Sequence, residues 1–205
     1  WSHLNGQKLE WDFVEQWSNV GRVSLKAHQT STMKVGFPID LRYGWDLRRE
    51  DHRAKIDQVY DTFRPKVILS SPEFRLWSKA PRHSDLEARD AARALEIPAL
   101  RWLHNQNARQ SSNNLGLLNQ APWCSRLFTD SPLKANSTLK SHLQHRSDLC
   151  CHGLVHPGNR QPVKRSLRIS SNIRHRKSCQ RCCEGRHGAE VSHTVLDGTH
   201  PGTGL

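Results

Sequence analysis

The sequence predicts an α/β fold: a mostly parallel sheet with helices on both faces, followed by an irregular, basic C-terminal tail. Three observations lead there. The run Val67-Ile-Leu69 stops at Ser70-Ser71-Pro72, which reads as a buried parallel strand delivering a loop at its carboxyl end. Strand-like and helix-like segments alternate on either side of it, the pattern of a parallel sheet covered by helices. All seven Trp, all five Phe and both Tyr lie at or before Phe128, so the buried area that aromatics supply belongs to the first part of the chain.

In chain order, residues 11–17 alternate well enough for a first strand, closed by the turn Ser18-Asn19-Val20-Gly21. Residues 22–29 have helical composition. Residues 34–40 read as a second strand, with Pro38 marking its end or an edge. Residues 48–63 place Ala54, Ile56, Val59, Tyr60 and Phe63 at spacings of three and four, one apolar helical face, and Arg64-Pro65 ends it. Residues 66–71 are the third strand. A helix over 85–96 is broken or kinked at Pro98 and continues over 99–110. Residues 115–119 form the fourth strand. Beyond Pro132 only a weak helix over 138–146 is suggested. The order is that of a Rossmann-like domain spanning residues 10–133, with residues 134–205 as the tail.

The chain has 205 residues and a formal net charge of +12, which implies attraction to a polyanion, above all nucleic acid. The tail holds 12 Lys and Arg against 5 Asp and Glu, eight of the 13 His and five of the six Cys. Its basic run, from Lys164 and Arg165 through Arg168 and Arg174 to Arg181 and Arg186, suits salt-sensitive, sequence-blind phosphate contact, unless it is simply a solvated basic segment. Cys179-x-x-Cys182, with Cys183, His187 and His193, has the ligand types and short spacing that zinc uses. Cys150, Cys151, His152 and His156 could complete such a site; the alternative is a basic tail with incidental Cys and His. No apolar run approaches the length of a membrane span, and no charged-then-apolar leader is visible. An intracellular location, cytoplasmic or nuclear, is therefore expected, and the cysteine-poor first half agrees with it.

Chemistry is expected at the carboxyl ends of the strands. The first turn, residues 15–21, sits where a nucleotide-type cofactor would meet a helix N-terminus, although Gly21 is its one glycine. Asp40, at the end of the second strand, is placed to accept hydrogen bonds from a ribose or to be a solvated loop carboxylate. Glu73 could act as a base, and Cys124 reads as a packing or bystander thiol. No Walker-type phosphate loop, Ser-His-Asp order or paired-His helix motif is present.

Taken together, Asp12–Gly21, Val67–Ser78 and Leu117–Phe128 resemble a methyltransferase-like segment of copia-type retroelement polyproteins. That segment is itself similar to class I S-adenosylmethionine-dependent methyltransferases of the cytosine-C5 DNA type. The resemblance covers residues 11–133 and extends weakly into the tail. It implies that Glu15, Trp17, Ser18, Gly21 and Asp40 belong to a cofactor site, with Asn19 standing where the family has a glycine. It also implies that Phe74 occupies the position of the nucleophilic cysteine and Gln120 that of the glutamate that holds the base. Phe74 has no nucleophile, and Gln120 cannot exchange a proton as a carboxylate does. The resemblance thus implies a degenerate, catalytically inactive methyltransferase-like module of retrotransposon origin, retaining at most the non-specific nucleic-acid binding that the basic charge suggests. The alternatives are an active nucleic-acid methyltransferase of altered mechanism and a zinc-dependent nucleic-acid-binding module.

Overall fold

The computed structural model describes residues 10–78, 86–138, 142–156, 158–163, 165–173, 182–184 and 193. Three short parallel strands form its centre: β1 (Phe13–Gln16), β2 (Val67–Ser70) and β3 (Gly116–Pro122). Val14 pairs with Ile68, and Ile68 with Leu117, so three apolar side chains form one buried row across the sheet. The helices are α1 (Arg22–Thr30), α2 (Glu50–Phe63), α3 (Leu86–Ser112) and the single turn α4 (Leu127–Asp130), and they flank the sheet. Ile56 and Tyr60 of α2 are buried, whereas Ala54, expected on the same apolar face, is exposed.

The mixed α/β class is as expected, but four elements differ from the sequence reading. The segment expected as a second strand meets β1 only at two parallel bridges, Phe13 to Val35 and Gln16 to Ile39. Pro38 lies between them and has no N–H to donate, so the ladder is interrupted. Gly36 is held at close quarters: a Cβ there would lie 2.5 Å from the Trp11 ring.

The two helices expected on either side of Pro98 are one helix, α3, with Pro98 inside it. Pro98 is exposed, so the carbonyl it deprives of a donor has solvent nearby. Only the half after Pro98 is buried, through Ala99, Leu100, Trp102 and Leu103 and then Gln106, Asn107 and Gln110.

Within the span expected as a weak helix, 138–146, residues 143–146 belong instead to a strand, β4 (Leu143–Asp148), and residues 139–141 lie outside the described residues. The expected irregular tail is irregular only in part, since β4 and β5 (Ser166–Ser171) join the sheet antiparallel in the order β1-β2-β3-β5-β4. The junction is fastened by Asn172, which accepts from the Leu117 N–H at 2.8 Å and donates to the Leu115 carbonyl at 2.7 Å. A strand whose side chains are Leu-Gln-His-Arg-Ser-Asp has almost no apolar signal of its own. Its pairing comes from the backbone of β5.

Among the described residues, no helix is long and apolar enough to cross a membrane.

Candidate functional site

The first loop leaves β1 through an unusual backbone. Trp17 (φ 49°), Asn19 (φ 52°) and Gly21 (φ 64°) all occupy the left-handed region. Asn19 tolerates this conformation better than most residues, which is how the loop turns without a glycine at that position. The Asn19 N–H donates to Asp40 Oδ2 at 2.9 Å, and the Arg42 N–H donates to Asp40 Oδ1 at 3.0 Å. Asp40 therefore caps the short 3₁₀ turn Leu41–Tyr43 and ties it to the first loop.

A cleft of about 710 Å³ opens beside this loop at the carboxyl ends of β1 and β2. Trp17, Asn19, Asp40, Glu73 and Phe74 all line it, from three separate stretches of sequence. Trp45, Asp46, Arg48, Ser71 and Glu96 complete much of the wall, and of these sequence reasoning gave no role to Trp45, Asp46, Arg48 or Glu96. Glu96 sits on the helix that follows the β2 loop, and no spacing in the sequence marks it out. A comparable cleft of about 790 Å³ lies at the opposite, amino-terminal ends of β2 and β3, lined by Tyr60, Asp61, Lys66 and Arg109 among others. In an open α/β sheet the carboxyl-end cleft is the one placed for a ligand.

The other expected cofactor residues support the loop from behind. Glu15 is buried and accepts from both the Ser24 N–H and Ser24 Oγ at 2.9 Å, joining β1 to α1. Ser18 is buried, and its Oγ has no hydrogen-bond partner. Gly21 begins α1, where an added Cβ would come within 3.2 Å of Pro38 Cβ.

Four carboxylates face the cleft, and two of them are paired. Arg48 bonds Asp46 at 2.8 Å, and the Arg75 guanidinium bonds Glu73 at 2.8 Å. Burial pushes the Glu73 carboxyl up, but the Arg75 side chain and backbone N–H outweigh it, so the group lies below its ordinary value. A carboxylate held in this way accepts three hydrogen bonds from one residue and is a poor base. Burial raises Glu96, helped by the nearby charges of Glu73 and Asp46 and opposed by Arg48. Phe74 is half-buried against the hydrophobic core. Gln120 does not line the cleft; its Nε2 donates to Ser71 Oγ at 2.7 Å, bracing the β2 loop from β3. The carboxylate of Asp40 is already engaged with backbone N–H groups.

Two further clusters sit toward the β3-β5-β4 part of the sheet. Trp123, just after β3, is 39% exposed, with the guanidinium of Arg168 4.6 Å and that of Arg146 5.6 Å from its ring centroid. Arg146 and Arg168 are register partners on β4 and β5.

Beyond β4, the Sγ atoms of Cys150, Cys151 and Cys183 all lie within 4.8 Å of one another, and this group could hold a metal ion. Burial, together with the neighbouring Cys183 and Cys151, pushes the Cys150 thiol up to about 12. Of the expected metal ligands, Cys183 belongs to this group. Cys182 is exposed, with its Sγ 3.9 Å from the Arg146 carbonyl, while Cys179 and His187 lie outside the described residues. His152 bonds Ser147 Oγ at 3.0 Å, and His156 accepts from the Gly158 N–H at 3.1 Å. Compared with known proteins, no family model matches this chain and no curated protein matches it.

Proposed function

We propose that this chain is a methyltransferase-like module of retrotransposon origin that no longer methylates and that binds nucleic acid. The observation that carries nucleic-acid binding is Trp123, exposed and flanked by Arg146 and Arg168. Like charges directly opposite each other across a strand pair are costly. Here the ring face and Asp148 offset that cost, and a phosphate would offset it further. Aromatic and guanidinium planes beside basic charge suit unstacked bases and a phosphate backbone. The acidic cleft would repel the same ligand, so the two surfaces serve different partners.

Loss of methylation is supported by the β2 loop. Phe74 offers no nucleophile, Glu73 is engaged by Arg75, and Gln120 braces Ser71. A Rossmann-like relationship is supported by three parallel strands whose carboxyl ends open on the cleft. An active module would hold S-adenosylmethionine there, with Trp17 and Asp40 lining the site.

A second reading, a zinc-dependent nucleic-acid-binding module, is favoured by the group Cys150, Cys151 and Cys183.

Two measurements on the whole chain test these readings. Fluorescence anisotropy with a labelled single-stranded oligonucleotide should show binding that weakens steeply with salt. Absence of binding at low salt, in a cooperatively folded protein, sinks the nucleic-acid reading. Calorimetry should show no heat with millimolar S-adenosylmethionine; micromolar binding, followed by methyl transfer to DNA or RNA, would make the chain an enzyme.

A further inference from the structure

We infer that Cys150, Cys151, Cys183 and His193 form a tetrahedral zinc site that fastens residues 182–184 and His193 to the end of β4. The inference rests on the zinc reading of the cysteine group, and on neither the cleft nor nucleic-acid binding.

The fourth ligand is the new element. His193 Nε2 lies 3.2 Å from Cys183 Sγ, at the Cys183 corner of three thiols that are mutually within 4.8 Å, although the nitrogen is not itself within that distance of all three. Zinc bonded to sulfur at about 2.3 Å and to nitrogen at about 2.0 Å needs sulfur–sulfur edges of about 3.8 Å and sulfur–nitrogen edges of about 3.5 Å. The three sulfurs need to close by at most about 1 Å to reach that spacing, and the Cys183–His193 edge is already short, while His193 must draw in toward Cys150 and Cys151 as the ion binds. Three sulfurs and one nitrogen form a closed donor set, with no position left for substrate or water, which is the composition of structural sites.

The backbone is built to hold these ligands. Cys150 and Cys151 sit on the 3₁₀ turn Leu149–His152, which Gly153 closes in the left-handed conformation (φ 84°). Asp148, fully buried at the end of β4, accepts the Cys183 N–H at 2.8 Å and is itself held by Ser166 and Arg146. This carboxylate fixes the backbone of a ligand without touching the metal, the usual work of an outer-shell group. Residues 182–184 and 193 carry no apolar side chain that could bury them against the sheet. The metal supplies what a hydrophobic contact does elsewhere, because ligand binding free energy is folding free energy.

The site differs from the zinc pattern legible in the sequence. Cys182, the second residue of Cys179-x-x-Cys182, is turned away, and the vicinal pair Cys150-Cys151 takes over.

The test uses the full chain, purified under reducing conditions, with zinc alone as the probe and no nucleic acid present. One equivalent of zinc is expected by elemental analysis. Cobalt(II) exchanged into the site should give the intense ligand-field absorption of a tetrahedral ion together with thiolate-to-cobalt charge transfer. H193A should weaken zinc affinity on the order of 100-fold, as should C183S, because each removes one of four ligands. C182S and H152A should leave affinity within about twofold, since neither side chain belongs to the donor set. C150S could fail to fold because its thiol is buried, so H193A carries the decision, with cobalt spectra reporting geometry. Three results would overturn the site: a folded, reduced chain holding well under one equivalent of zinc, H193A binding zinc as tightly as the parent, or C182S losing zinc as strongly as C183S. Oligonucleotide binding measured separately keeps failure of the nucleic-acid reading distinct from failure of this one.

Discussion

Glu15, at the end region of β1, accepts two hydrogen bonds from Ser24, one from its backbone N–H and one from its hydroxyl, both at 2.9 Å. The side chain is 4% exposed, so the carboxylate works inside the protein, tying the first strand to the first helix. A residue expected to touch a cofactor is thus, in this fold, a tether behind the loop. Glu15→Ala should cost about 2–3 kcal/mol, because it leaves buried donors without an acceptor. Urea denaturation checks the figure. An unchanged midpoint would sink the tether and return Glu15 to the ligand site.

Gly21→Ala should destabilise by about 1–2 kcal/mol, since a left-handed φ costs an L-residue and the new Cβ would press on Pro38 at 3.2 Å. Thermal melting of the variant is the measurement. Substituting Gly44, whose φ is also positive but which has open space around it, separates the two causes.

Opposite shifts in one cleft give opposite pH dependences. Glu73 is held below the ordinary glutamate value of 4.5, so its contribution is present above 4.5 and is lost as pH falls. With the Arg75 partner largely in solvent, that contribution is about 0.5 kcal/mol. Glu96 is raised above 4.5, so its ionised form disfavours the fold at neutral pH, and the penalty fades as pH falls through its folded value. Glu96→Gln should therefore be more stable than the parent at neutral pH and equal to it below 4.5. Glu73→Gln should be the less stable of the two at neutral pH. Denaturation midpoints across a pH series decide the matter; equal curves for both variants would contradict it.

Nucleic-acid contact through the Trp123 surface has two separable signatures. Trp123→Ala should weaken single-stranded binding by about 1–3 kcal/mol through lost stacking. Arg168→Ala should reduce the slope of log affinity against log salt by about 0.7, one phosphate contact on a single strand. Binding unaffected by both would place any contact elsewhere.

Pro98→Ala should stabilise the protein by about 1–2 kcal/mol, because the helix continues through this residue without the hydrogen bond that an N–H would donate. Chemical denaturation of the variant tests it. A loss of stability would mean that the proline ring is packed to advantage despite its exposure.

How much of the site was legible in the sequence varies with the range of the interaction. Trp17, Asp40, Glu73 and Phe74 meet in one cleft because each follows or ends a strand-like segment, and parallel strands carry their ends to the same edge of the sheet. That much is pattern. The roles within the cleft were not legible: Glu73 is spoken for by a neighbour two residues away, and Glu96 arrives from a helix whose rotation no period in the sequence fixes.

The sequence by itself determined the alternation of elements through β3, the aromatic-rich core and the placement of the loops at strand ends, because local apolar runs and turn residues act over a few positions. Tertiary structure alone decided that residues 143–148 and 166–171 extend the sheet, since polar side chains reveal nothing of a ladder made by backbone groups. It also decided which cysteines gather. Cys150 and Cys151 reach Cys183 because Asp148 draws the Cys183 N–H to the end of β4, a contact across 35 residues for which spacing carries no signal.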